Sequence, residues 1–105
     1  MNNEELELSV LRSLGRITTQ KNIAHVLGHS VGKINYVLKA LAQKGLLKVE
    51  NFYTNEHKMQ YRYLLTQAGV EEKIALTTKF IQRKKAEYEI LQAELEMMNN
   101  NPKGI

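Results

Sequence analysis

Apolar residues recur at helical spacing in four stretches of the chain and at strand-like spacing in two. Leu6, Val10, Leu11 and Leu14 share one face of a helix predicted over residues 3–14, with Glu4 and Glu5 near its positive N-terminal end. Gly15 stops it. A shorter helix is predicted over 20–27, with Thr19 as its N-cap and Ile23, Ala24 and Leu27 turned inward. Gly28 closes that helix, His29 lies in the turn, and Ser30 caps a third helix over 31–44 that ends at Gly45. Two helices separated by about three residues form a helix-turn-helix.

Residues 46–52 and 60–65 include Val49, Phe52, Tyr61 and Tyr63, which suit strands, and residues 53–59 supply a polar tip with Asn55, His57 and Lys58. A β-hairpin in this place is a wing. Thr66 caps a last helix from 67 or 68 to about 99, with Gly69 tolerated in its first turn. Such a helix is about 50 Å long, more than a core this small covers, so part of it needs another partner. The predicted fold is mainly α with a small β-hairpin wing. Residues 1–66 form a winged helix-turn-helix DNA-binding domain, 67–99 a long C-terminal dimerisation helix, and 100–105 a frayed tail.

With Ile34, Val37, Leu38 and Leu41 inward, the third helix presents Gly32, Asn35, Tyr36, Lys39 and Gln43 on its opposite face. The N-terminal half of a recognition helix enters the major groove, which makes Val31, Gly32, Asn35 and Tyr36 the candidates for base edges. Asparagine can pair bidentately with adenine, and Val31 can touch a thymine methyl group. Thr19, Gln20, Lys21, Ser30, Lys33 and Lys39 are placed for phosphates, three of them near helix N-termini. Tyr36 also has the alternative of packing under the wing. On the wing, Lys58 and Arg62 are the phosphate or minor-groove candidates, with His57 weaker.

Charge sharpens this picture. No acidic residue occurs from Leu8 to Val49, where Arg12, Arg16, Lys21, Lys33, Lys39, Lys44 and Lys48 supply seven cations. Residues 66–105 balance six cations against six anions, so the whole net charge of +4 comes from the N-terminal two thirds. A polyanion is the partner this distribution suits. A protein-interaction module built on a winged helix is the alternative, but an acid-free stretch gives it no advantage.

Other chemistry is poorly provided for. There is no cysteine, which excludes disulfides and thiolate metal sites, and no aspartate, the commonest partner of a catalytic histidine. His25, His29 and His57 are unsuitably spaced for a metal and read as surface or turn residues. No phosphate-binding loop is present. The expectation is a protein that is not an enzyme, with no cofactor and no metal. No apolar run approaches the roughly 20 residues of a membrane span, and the acidic N-terminus differs from a signal peptide, so a cytoplasmic protein without a membrane partner is expected.

In the last helix Ile74, Ile81, Tyr88 and Leu95 recur at one heptad position, and Thr77, Lys84, Leu91 and Met98 at the other. Phe80, Ile90 and Met97 widen the stripe. The apolar members Ile74, Ile81, Tyr88, Leu91, Leu95 and Met98 are the predicted dimerisation residues.

The chain resembles the MarR-type winged-helix regulators, most closely the exopolysaccharide-associated subgroup. The resemblance rests on SVGKINYVLKAL at 30–41, KGLLKVENF at 44–52, YLLTQAGVEEK at 63–73 and FIQRKKAEYE at 80–89, and the Leu-Thr-x-x-Gly entry to the last helix is typical of it. It implies sequence-specific binding of double-stranded DNA by a homodimer and control of polysaccharide genes, and the symmetry of such a dimer calls for an inverted-repeat operator. The sequence assigns no small-molecule effector.

Overall fold

The elements follow in the order α1 (Asn3–Ser13), α2 (Gln20–Leu27), α3 (Val31–Gln43), β1 (Leu47–Tyr53), β2 (Met59–Leu65) and α4 (Gln67–Asn100). The computed structural model describes residues 3–15 and 19–101, apart from the side chain of Gln60. Arg16 of the basic stretch, and all of the expected tail beyond Asn101, lie outside the described residues. Asn100 itself closes α4, and the Asn101 N–H donates to the Met97 carbonyl.

Each predicted cap is made. The Thr19 hydroxyl accepts from the Asn22 N–H and the Ser30 hydroxyl from the Lys33 N–H, both at 3.1 Å. Gly28 ends α2 at φ 70°, a left-handed conformation that glycine adopts without strain, and so turns the chain into α3 within three residues.

One core holds these pieces. Leu6, Val10, Leu11 and Leu14 meet Ile23 and Ala24 of α2, Ile34, Val37, Leu38 and Leu41 of α3, and Leu47 of β1. The same cluster takes in Leu76 and Phe80 of α4. Phe80, grouped with the exposed heptad stripe by sequence spacing, is instead buried in its own domain, because α1 lies against this part of α4. The Lys79 ammonium reinforces that contact by donating to Glu4 of α1 at 2.6 Å. The hydrogen bond holds the Glu4 carboxyl below its ordinary value, against a smaller desolvation effect, with further attraction from the charges of Lys79 and Arg83.

The start of α4 is pinned to the end of α3. The Thr66 hydroxyl donates to the Gly45 carbonyl at 2.6 Å and accepts from the Gly69 N–H at 3.0 Å, while the Thr66 N–H donates to the Leu46 carbonyl at 3.1 Å. A Cβ on Gly69 would run into that same carbonyl oxygen. Gly69 is thus required by close backbone approach, beyond being tolerated in a first helical turn.

β1 and β2 form an antiparallel hairpin in which Leu47 opposes Leu65 and Tyr53 opposes Met59. The strands reach one residue further toward the tip than predicted, leaving residues 54–58 as the turn. His57 adopts φ 60° there, and its N–H donates to the Thr54 carbonyl. Beyond Phe80, no residue of α4 is buried. The helix continues for five more turns, and the molecule reaches 69 Å in its long dimension against 26 and 21 Å in the others. No helix among the described residues is long and apolar enough to cross a membrane.

Candidate nucleic-acid interface

The surface of interest is built from the N-terminal ends of α2 and α3, the outer face of α3 and the inner face of the wing. Burial of Ile34, Val37, Leu38 and Leu41 turns the rest of α3 outward: Val31, Gly32, Lys33, Tyr36 and Lys39 are exposed, and Asn35 is half-buried. Tyr36 is 69% exposed, and the Lys33 ammonium lies 5.6 Å from its ring centre. It does not pack under the wing.

Thr19 and Ser30 use their hydroxyls to cap N-terminal amides, so the remaining first-turn N–H groups of both helices point outward beside them. Gln20 works as a brace. Its Nε2 donates to the Val31 carbonyl at 3.1 Å, and its Oε1 accepts a longer bond, 3.4 Å, from the Tyr63 hydroxyl. One side chain therefore ties α2 to the start of α3 and to the wing. Burial, with a smaller contribution from neighbouring Tyr61, pushes the Tyr63 phenol up, which keeps it protonated and able to donate.

Strand alternation decides what the wing presents to α3. Val49, Tyr61 and Tyr63 face the helix and, with Asn35, Lys39 and Gln20, line a groove of about 400 Å³. Tyr61 is 51% exposed at the lip of this groove. Arg62 has the opposite parity: it pairs across the ladder with Glu50, and its guanidinium sits 4.9 Å from the Phe52 ring centre on the outer face. Of the two predicted wing contacts, Arg62 is thus turned away from the groove, and Lys58 stands at the tip, 3.6 Å from Glu56. Sequence reasoning missed Tyr61 and Val49. The alternation that places Tyr63 inward would have found both.

The electrostatics of the surface follow from the acid-free stretch. Lys21, Lys33 and Lys39 are exposed and have no ion-pair partner among the described residues, whereas Lys44 pairs with Glu7 at 3.3 Å and Lys48 with Glu50 at 3.8 Å. Lys39 and the half-buried Asn35 line the groove, and Lys21 and Lys33 stand on the same helices outside it. Among the described residues no group of three potential metal ligands comes together.

No family model and no curated protein matches the sequence. Solved structures do match the fold. A Staphylococcus aureus MepR–DNA complex superposes with a TM-score of 0.62 at 21% identity, covering 96% of this chain and 78% of that one. The PcaV transcriptional regulator from Streptomyces coelicolor, with its natural ligand, gives 0.66 at 13% identity over 99% and 76% of the two chains. Staphylococcus aureus MarR, in complex with salicylate and kanamycin, gives 0.63 at 22% identity over 92% and 69%. The chain has the winged-helix fold of these regulators.

Proposed function

We propose that this protein is a MarR-type transcriptional regulator that binds double-stranded DNA sequence-specifically as a homodimer, without enzymatic activity, in the cytoplasm. The observation that carries the reading is the outer face of α3, where Lys33, Asn35, Tyr36 and Lys39 are accessible and no acid intervenes. The same fold is found in a protein solved on DNA, which supports it.

In this reading α3 lies in the major groove. Asn35 contacts an adenine edge, and Val31, Gly32 and Tyr36 follow the neighbouring base edges. Lys21, Lys33 and Lys39, with the helix ends at Thr19, Gln20 and Ser30, hold phosphates. Lys58 and Arg62 meet the backbone from the wing tip and its outer face, and Tyr61 faces the DNA from the inner one. Ile74, Ile81, Tyr88, Leu91, Leu95 and Met98 join two copies, so that two-fold symmetry calls for an inverted-repeat operator. The resemblance to the exopolysaccharide-associated subgroup supports polysaccharide genes as the targets.

The test is to incubate full-length protein with fragments of its own genome and sequence what is retained. The expected result is an enriched inverted repeat, with half-sites about one helical turn or a multiple apart, upstream of polysaccharide genes. Retention of no fragment at low salt would leave the interaction-module reading in its place. An enriched repeat next to unrelated genes would overturn only the assignment of targets.

A further inference from the structure

The outer part of α4 and the groove beside its inner part have complementary chemistry. Residues 73–85 carry Lys73, Lys79, Arg83, Lys84 and Lys85 and no acid. Residues 86–100 carry Glu87, Glu89, Glu94 and Glu96 and no cation. Between the basic half of α4 and α1 runs an open groove of about 870 Å³, with Leu8, Thr77, Phe80 and Ile81 in its lining, Arg12, Lys73, Lys84 and Lys85 supplying positive charge and Glu89 a single negative one. Lys79 is already engaged by Glu4, and Lys84 lies 3.6 Å from Glu87. Arg12, Lys73 and Lys85 have no ion-pair partner among the described residues.

Resting on the homodimer in the reading above, we propose that this groove is filled by the acidic outer half of α4 from a second copy, so that the two long helices run antiparallel. The heptad spacing supports it independently of charge. Antiparallel helices place one heptad position against the other, and setting Ile81 against the partner's Leu91 fixes the remaining layers. Ile74 then meets the partner's Met98, Thr77 the partner's Leu95, and Lys84 the partner's Tyr88. Every exposed apolar residue of the seam finds a cover, and both polar insertions fall opposite large side chains. A parallel pair would instead set Lys84 against its own copy in the seam and align two four-glutamate blocks. Packed helices lie about 8–10 Å apart, and charges at that distance are only partly screened at physiological salt, where the screening length is about 8 Å. The charge segregation therefore discriminates between the two orientations.

The arrangement also suits the proposed function. The symmetry axis crosses α4 near Ala86, so the two Leu76 anchors lie about 30 Å apart along the helices at 1.5 Å per residue. That is close to the 34–36 Å turn separating half-sites on B-DNA.

The chain contains no cysteine, so introduced thiols report unambiguously. Full-length Ile81→Cys and Leu91→Cys proteins, separately tagged, would be mixed, re-equilibrated and mildly oxidised. Both positions are exposed in the single chain, at 50% and 63%, so neither change disturbs its core. A mixed 81–91 disulfide is expected, with little product from either variant alone. Identical positions would be about 15 Å apart along the axis, beyond the Cα separation of about 7 Å that a disulfide spans. Homodisulfides of each variant without the mixed product would overturn the antiparallel arrangement and leave the dimer standing. Monomers at tens of micromolar by sedimentation would overturn both. Neutralising the outer half with Glu94→Gln and Glu96→Gln gives a test of opposite sign. The dimer dissociation constant should rise about 3- to 10-fold through loss of exposed attractions, whereas a fall, as expected from relieving like-charge repulsion in a parallel pair, would overturn the proposal.

Discussion

Within the single helix α4, residues 67–80 and 81–100 have similar apolar content and opposite surroundings. In the first segment Gly69, Leu76 and Phe80 are buried against the winged body. In the second, Ile81, Tyr88, Leu91, Leu95 and Met98 recur with equal regularity and are all at least 48% exposed. Ile74 belongs with them, although it lies on the inner segment, because it is 61% exposed. Helical periodicity states that a face gains from burial, not what buries it. Full burial of a large apolar side chain contributes about 1.5–3 kcal/mol. About half of each of these six side chains is still exposed, so burying the rest on two copies is worth about 9–18 kcal/mol, enough to offset the roughly 4–15 kcal/mol that association costs in lost freedom. The inner segment is thus a structural part of the body, and in the proposed dimer the outer one is the surface for pairing.

The largest expected effect comes from cutting the chain at different points along α4. Ending it after Arg83 retains Phe80 and the Lys79–Glu4 pair, and should leave a folded monomer whose operator affinity has fallen by about 10²–10⁴ as the two reading heads are separated. Ending it after Thr78 also removes Phe80, and should lower stability by about 3–5 kcal/mol. Thermal melts and DNA titrations of both products measure the contrast. Equal stability would mean that the buried segment ends before Phe80.

Point substitutions draw the same line more finely. Leu41→Ala, at a fully buried site, should cost about 2–5 kcal/mol in denaturant unfolding independently of protein concentration. Leu91→Ala, 63% exposed in the single chain, should instead act through dimer dissociation and become evident on dilution. In the proposed interface, Asn35→Ala should cost about 1–3 kcal/mol at one base pair of each half-site, while Lys39→Ala should weaken all sequences alike and, by removing one contact from each copy, reduce the salt slope by about two. Binding of operator variants and random duplex by the two proteins separates these outcomes.

The smallest effect concerns the seam between α1 and α4. Glu4 has a lowered folded pKa, so the contribution of its pair with Lys79 is complete above the ordinary carboxylate value of 4.5 and is lost as pH falls through the lowered one. Lys79→Met should therefore lower stability slightly and by the same amount throughout pH 6 to 8, with the difference from the parent protein shrinking as pH falls below 4.5.

The helices were legible because their ends are chemically marked: Thr19, Ser30 and Thr66 cap, and Gly28 and Gly45 stop. The outward face of α3 was equally legible, since four buried aliphatics in thirteen residues leave little freedom in its rotation. Three features were not. Phe80 satisfies the spacing of either stripe, and only the position of α1 decides between them. Gln20 reads as a polar residue at a helix end, and its bracing role depends on Tyr63 arriving from 43 residues away. Gly69 fits any first turn, and the close approach of the Leu46 carbonyl that requires it is a tertiary fact. The wing lies between these cases. Arg62 drew attention by its charge, although its alternation with Tyr61 and Tyr63 already placed it on the other face.

The central claim is that a basic winged body reads duplex DNA while the outer helix brings two such bodies together. It is tested most directly by titrating a fluorescent operator duplex with full-length protein across a salt series. Lys21, Lys33 and Lys39 from each of two copies amount to about six phosphate contacts, so log K should fall linearly against log salt with a slope near −5. Affinity should accordingly drop about 10³-fold between 50 and 200 mM salt, with operator favoured over random duplex by at least about 10³. A flat salt dependence, or equal affinity for operator and random sequence, would contradict the account.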